Sequence, residues 1–361
     1  MKEPHPLRMG IEPDGRSVPK AVRRAAGLPL PVYIDGGLKH MAKGRARDLE
    51  GKLVALIGGT GFFGAHVAQE LLERGARLRV CGRHPARAYR VKPLGILGQV
   101  QFVAVDVTKP HTVSVALTGV DAVVNLVGAF AGDLDAVQGK GAGGVAALAL
   151  AAGAAAFVHI SAIGADAESP VDYARTKAQG EAAVLAAFPQ ATILRPSILF
   201  GDDDNFITMF AGLIASLPIL PVFGPNARLQ PVSVDDAAEA IGNVLAAPAP
   251  HAGKTYEIAG PQVLTMADLN RRIAKAECRT RTFIELPDAV SGAIASLTGW
   301  LPGAPLSKEQ WQLLKQGNVA SGALPGLKEL GVHARPLDLF LDRWLVRFRK
   351  HGRFGVKTRV A

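Results

Sequence analysis

From Lys52 onward, short apolar runs alternate with stretches whose apolar residues recur at helical spacing. The runs over 53–57, 77–81, 101–105, 121–127, 155–160 and 191–195 read as strands, and 61–74, 136–152 and 172–187 as helices. Strands that are apolar on both faces and separated by helices predict an α/β fold, a Rossmann-type doubly wound parallel sheet. After Arg195 the alternation decays into mixed segments, which predicts a smaller C-terminal lobe. The expected boundaries are an N-terminal arm over 1–50, a dinucleotide-binding domain over 51–200 with further elements to about 260, a mixed lobe over 201–335, and a basic amphipathic helix and tail over 336–361. In that last segment Leu337, Leu341, Trp344, Leu345 and Phe348 share one helical face, which suits docking either on the lobe or on a membrane surface.

Two uncharged stretches approach the length of a membrane span, and neither reads as one. Gly141 to Val158 is mostly Ala and Gly and is divided by Gly153, while the helical part of the second, Phe206 to Leu217, is cut by Pro218 and Pro221. The arm holds several Pro and Gly and no sustained period, so little structure of its own is expected there. Met41 offers an alternative start that would make the preceding forty residues an artefact.

Composition sharpens this picture in two ways. The net charge of +10 is carried by the ends: residues 1–50 contribute +4 and residues 343–361 contribute +7, leaving a neutral body. Basic extremities on a neutral body fit an acidic partner, an anionic lipid surface, or solvated tails, and argue against a nucleic-acid groove built by the fold. Cys81 and Cys278 are too few for a disulfide framework, so a reducing compartment is expected. No two histidines fall at ligand spacing, and the acids Asp202, Asp203 and Asp204 read as a solvated or helix-capping run, so no metal is expected. Asp235 and Asp236 read as helix-start residues.

The glycines after the first strand carry the chemistry. "GGTGFFG" follows a strand and opens a helix, in two registers that share Gly61 and Gly64. Glycine there allows a tight turn, a pyrophosphate against bare backbone, and close helix–strand packing. The candidate contacts are Gly58, Gly59, Thr60, Gly61, Phe62, Phe63 and Gly64; a merely tight turn is the alternative. A carboxylate at the end of the second strand would select NAD(H), and here the chain reads "VCGRHP" with no acid between Glu73 and Asp106. Arg83 is placed to meet a 2′-phosphate, so NADP(H) is expected over NAD(H). A solvated basic face explains the outer arginines equally well.

Later strand ends carry Asp106, Asn125 and Ser161. Twelve residues past Ser161 comes "YARTK", which puts Tyr173 and Lys177 one turn apart on a helix. An ammonium beside a phenol, with an oxidised nicotinamide, would lower the phenol's pKa and let it act as acid or base while Ser161 holds a substrate oxygen. An exposed helix face is the plainer reading of the same spacing.

The order "GGTGFFG", "VDV", "NLVG", "ISAIG", "YARTK" and "LRPSILFG" resembles the short-chain dehydrogenase/reductase superfamily in its extended or atypical branch. That resemblance implies Asp106 and Val107 near the adenine, Asn125 and Gly128 on the cofactor side of the sheet, Pro196 before the loop touching the nicotinamide, and Lys177 on its ribose. Many of its enzymes carry an Asn on the helix after the fourth strand; "QGKGAGGVAALAL" has none, which puts a proton relay there in doubt. A narrower resemblance, in "QPVSVDDAAEAI", "GKTYEIAGPQVLTMADL" and "LPGLKELGVHARPLDL", is to the nucleotide-binding accessory subunits of respiratory complex I and their bacterial relatives. It implies a held, unreacting NADPH, complex I subunits as partners, and a cytoplasmic position peripheral to the inner face of the membrane. The alternative is an NADPH-dependent reductase or epimerase acting on a hydrophobic substrate through Ser161, Tyr173 and Lys177.

Overall fold

The computed structural model describes residues 47–298 and 308–352; the arm up to residue 46, the Met41 start and the tail beyond 352 lie outside the described residues. Its first half runs β1 (Leu53–Ile57), α1 (Phe62–Glu73), β2 (Arg77–Gly82), β3 (Val100–Ala104), α2 (Pro110–Leu117), β4 (Ala122–Asn125), α3 (Gly141–Ala151), β5 (Ala156–Ile160), α4 (Asp172–Ala187) and β6 (Thr192–Pro196). There follow β7 (Leu199–Phe200), α5 (Phe206–Ser216), β8 (Ile219–Val222), β9 (Arg228–Leu229), β10 (Val232–Ser233), α6 (Val234–Ala246), β11 (Thr255–Ile258), β12 (Leu264–Thr265), α7 (Met266–Ala276), β13 (Thr282–Glu285), α8 (Asp288–Thr298), α9 (Lys308–Gln316) and α10 (Asp338–Trp344).

The main sheet has the order β11-β6-β5-β4-β1-β2-β3, with every neighbouring pair parallel. It is the doubly wound sheet that the apolar pattern predicts. Strand order reverses between β1 and β4, which opens the ligand crevice at their carboxyl ends. One core, including Leu56, Leu71, Leu78 and Ile241, fills one face; a second, including Ile57, Leu117, Phe157 and Ile193, fills the other. A third, around Phe200, Ile214, Leu229 and Leu269, builds the region after β6.

The chain beyond residue 195 returns β11 to the main sheet, and α6 packs on α1. Three details depart from the pattern reading. Helix α2 is not among the expected elements: it is only eight residues long, starts at Pro110, and buries just Val113, Ala116 and Leu117. The fourth strand stops at Asn125, because the Asn125 carboxamide takes the Val127 amide and turns the chain out of the ladder. The helix expected over 136–152 opens with a π-helical turn, Asp135–Lys140, before α3 begins. At its near end the arm is tied down, with Leu49 buried and Asp48 3.0 Å from Arg74.

The C-terminal segment docks on the third core. Leu337, Leu341 and Leu345 are buried there, each contributing about 1.5–3 kcal/mol, with Trp344 and Phe348 packed alongside. Helix α5 buries Ile207, Ala211 and Ile214 and leaves Met209 and Leu213 exposed. Among the described residues no helix is long and apolar enough to cross a membrane.

Candidate functional site

The glycine loop does three different jobs. Gly58 adopts a φ of 83°, which only glycine takes without strain, and its amide donates to Cys81 O at 2.9 Å. A side chain on Gly64 would lie 2.6 Å from the Gly59 backbone, so α1 seats directly on the loop. Gly61 is different: a Cβ there would meet nothing nearer than Gly58 O at 3.5 Å, so its bare backbone faces open space at the α1 N-terminus. That is the cradle a pyrophosphate needs. Thr60 packs on Gly82, where an added Cβ would lie 2.6 Å from its hydroxyl. Phe62 points the other way, edge-on to His66 with ring centroids 5.3 Å apart, and Phe63 packs against the core.

Arg83 directly follows β2 and is exposed. Across the gap, the Asp106 carboxylate accepts from the Thr108 hydroxyl at 2.7 Å and amide at 3.0 Å, bonds that hold it below the usual carboxylate range, with the Arg83 charge adding to the effect. Asp106 thereby starts the turn into α2, and Val107 lies beside it, half-buried.

Ser161 directly follows β5, and Tyr173 and Lys177 lie one turn apart on α4. Lys177 is buried, and its ammonium donates to Ile160 O at 3.0 Å and Val127 O at 3.2 Å. A Cβ on Gly128 would stand 3.2 Å from that nitrogen, so glycine makes room for it. Burial pushes the Lys177 ammonium down to about 8, against the opposing charge of Glu181. Ser161 donates its amide to Leu194 O at 2.8 Å, while its buried hydroxyl oxygen has no partner. Pro196 ends β6 and is buried.

Burial pushes the Tyr173 phenol up to about 12, and Lys177 directs its hydrogen bonds to backbone carbonyls; the lowering expected beside an oxidised nicotinamide concerns the loaded site. Tyr173 stacks on Phe130, and beside the pair a cavity of about 420 Å³ is lined by residues that include Leu134, Asp172, Arg175 and Leu313.

Sequence reasoning missed three residues here. Gln138, on the π-helical turn, is fully buried; its amide nitrogen donates to the Thr176 hydroxyl at 2.8 Å and its oxygen accepts from the Ala129 amide at 3.1 Å. It ties the loop after β4 to α4, and a lone amide ahead of an Ala/Gly helix was its only signal. His159 accepts from the Asn125 carboxamide at 3.2 Å, which leaves its proton on a buried Nε2 without a partner; burial drives its pKa down to about 3. His66 reaches Asp235 at 2.7 Å and Asp203 at 3.2 Å, and Asp202 also lies close enough to form a candidate ligand group with His66 and Asp203. Asp203 also pairs with Arg90, so these side chains join α1 to the loop before α5 and to the start of α6. Asp204 caps α5, accepting from the Ile207 amide at 2.6 Å, and Asp236, buried in the first turn of α6, holds Arg335.

Bare backbone at Gly61, a buried ammonium and an orphaned hydroxyl around one crevice fit a nicotinamide dinucleotide. They define a protein of the short-chain dehydrogenase/reductase type, and the model of a family described as NAD(P)H-binding matches residues 58–211. The mitochondrial NADH dehydrogenase (ubiquinone) 1 alpha subcomplex subunit 9 of Rattus norvegicus is 30% identical over 321 residues, covering 86% of this chain and 84% of that protein. The chain therefore belongs to the family of that complex I subunit. A ceramide reductase of Caulobacter vibrioides is 33% identical over 197 residues, 54% of this chain and 60% of the relative. The solved NADPH-dependent quinone oxidoreductase of Escherichia coli, complexed with NADPH, shares the fold with a TM-score of 0.64 at 21% identity, over 81% of this chain and 99% of that one.

Proposed function

We propose that this chain is an accessory or assembly subunit of complex I that holds NADPH without turning it over, peripheral at the inner face of the membrane. The observation that carries this reading is the 30% identity to a complex I subunit over 86% of this chain, joined to a glycine cradle at Gly61 and a buried Lys177 ammonium that can hold a nucleotide. Arg83, clear of any carboxylate on its own strand end, is the group that would favour the 2′-phosphate of NADP(H). In this reading the elements up to about residue 260 hold the nucleotide, and the remaining lobe and C-terminal segment face the partner.

The second reading is a reductase on a hydrophobic substrate. It is favoured by the unpartnered Ser161 hydroxyl, by the cavity beside Tyr173, and by the kinship with a ceramide reductase. Two measurements separate them. Nucleotide released by denaturing the purified protein is identified by mass, and membranes are run on native gels. NADPH released together with co-migration with complex I supports the first reading; catalytic NADPH oxidation lost in Tyr173→Phe replaces it with the second.

A further inference from the structure

The connection from β2 to β3 is unlike the others in the sheet. Residues 83–99 cross between two parallel strands with only a single 3-10 turn, Pro85–Arg87, where an α-helix is usual. Connections of that length without an element of their own are uncommon and often functional. The loop is built firmly. Ala88 and Val91 are buried in the core, the Lys92 amide donates to Ala88 O at 3.1 Å, and the Leu94 amide to Val91 O at 3.0 Å. At the far end the Gln99 side chain donates to Ala76 O at 3.0 Å and accepts from the Ile96 amide at 3.2 Å.

This ordered loop presents apolar side chains to water: Tyr89 is 66% exposed, Ile96 78% and Leu97 104%. Such values describe a convex tip, not the wall of a groove. Around it stand Arg83, Arg87, Arg90 and Lys92, and residues 83–99 contain no Asp or Glu. Arg90 is paired with Asp203, while Arg83, Arg87 and Lys92 are exposed. Isolated exposed aliphatics need no explanation, but two adjacent ones on a rigid, wholly cationic loop do.

We propose that this loop seats in the interfacial zone of an anionic lipid bilayer. Ile96 and Leu97 enter the acyl boundary, Tyr89 lies at headgroup level, and Arg87 and Lys92 meet lipid phosphates. A bilayer accepts a convex apolar tip anywhere on its surface, and its negative potential complements a loop without acids. The proposal is independent of complex I membership, and it leaves Arg83 to the nucleotide.

The test uses the purified full chain with vesicles of phosphatidylcholine, with and without phosphatidylglycerol. Sedimentation is expected to show binding to the anionic vesicles, weakened roughly tenfold in Ile96→Ser/Leu97→Ser and by a similar factor in Arg87→Gln/Lys92→Gln, with NADPH affinity unchanged as the folding control. In Leu97→Trp, emission is expected to shift to the blue on anionic vesicles and to be quenched by acyl-brominated lipid beyond the wild-type background. Variants that bind vesicles like the wild type, or a Leu97→Trp emission that does not move, overturn the proposal and leave any binding to the basic ends. Loss of native-gel co-migration with complex I, with vesicle binding intact, makes the loop a protein contact and overturns it too.

Discussion

The rings of Phe130 and Tyr173 lie face to face, with centroids 4.5 Å apart and planes 12° from parallel. Phe130 comes from the loop after β4 and Tyr173 from the first turn of α4, so the stack closes the loop over the phenol whose ionisation burial already opposes. Removing the ring exposes the phenol to water and costs the stack, about 0.5–1.5 kcal/mol. Phe130→Ala should therefore lower the Tyr173 pKa from about 12 toward its ordinary value. Ultraviolet titration against Tyr173→Phe as blank reads this directly, and an unmoved titration would show that the stack does not shield the phenol.

Gly61 and Gly64 are predicted to fail in opposite ways. Gly61 has a φ of −83°, open to any residue, and space around its missing side chain. Gly61→Ala should fold with an unchanged urea midpoint and lose nucleotide binding by more than roughly tenfold, because the methyl occupies the phosphate's place. Gly64→Ala forces a carbon to 2.6 Å from the Gly59 backbone and should lower stability by about 1–3 kcal/mol whether or not nucleotide is present. Urea titrations with and without NADPH distinguish the two.

Arg83→Ala should weaken NADPH roughly tenfold to a hundredfold, the worth of a charge-assisted contact, and change NADH by less than about twofold. Fluorescence titration of the two nucleotides measures the ratio. Equal losses for both would move Arg83 from the 2′-phosphate to the pyrophosphate.

Lys177 gives the protein a pH signature. Its folded-state pKa, about 8, lies below the ordinary lysine value of 10.5, so between those values the unfolded chain binds more protons than the native state. Stability therefore rises with pH across that window, by about 3 kcal/mol in full, and the penalty for the buried charge is complete below it. Urea midpoints at pH 7.5 and 9.5 should rise in the wild type and stay flat in Lys177→Met. A rise of equal size in both would assign the effect to another group.

Much of this molecule was legible because buried parallel strands are apolar on both faces and glycine loops are local. Residues 53–57 and 155–160 announce themselves by run length alone, and "GGTGFFG" needs no partner far along the chain to be read. The rest depends on contacts between distant segments. Nothing near His66 signals that Asp203 and Asp235 will flank it, since Asp235 arrives on α6 and Asp203 on the loop before α5. The Tyr173–Lys177 spacing showed that two side chains share a helix face. It could not show that the ammonium would turn to the carbonyls of Val127 and Ile160, which belong to two other strand ends.

β11 closes the sheet against β6 from far down the chain, with Thr255 beside Ile193 and Ile258 beside Pro196. During synthesis, a nascent chain released as far as residue 211, where the family match stops, would still carry β6 as a raw, unpaired margin. Emergence of residue 258 from the ribosome is therefore the event that seals it. Until then, that margin keeps a row of backbone N–H and C=O groups open to pairing.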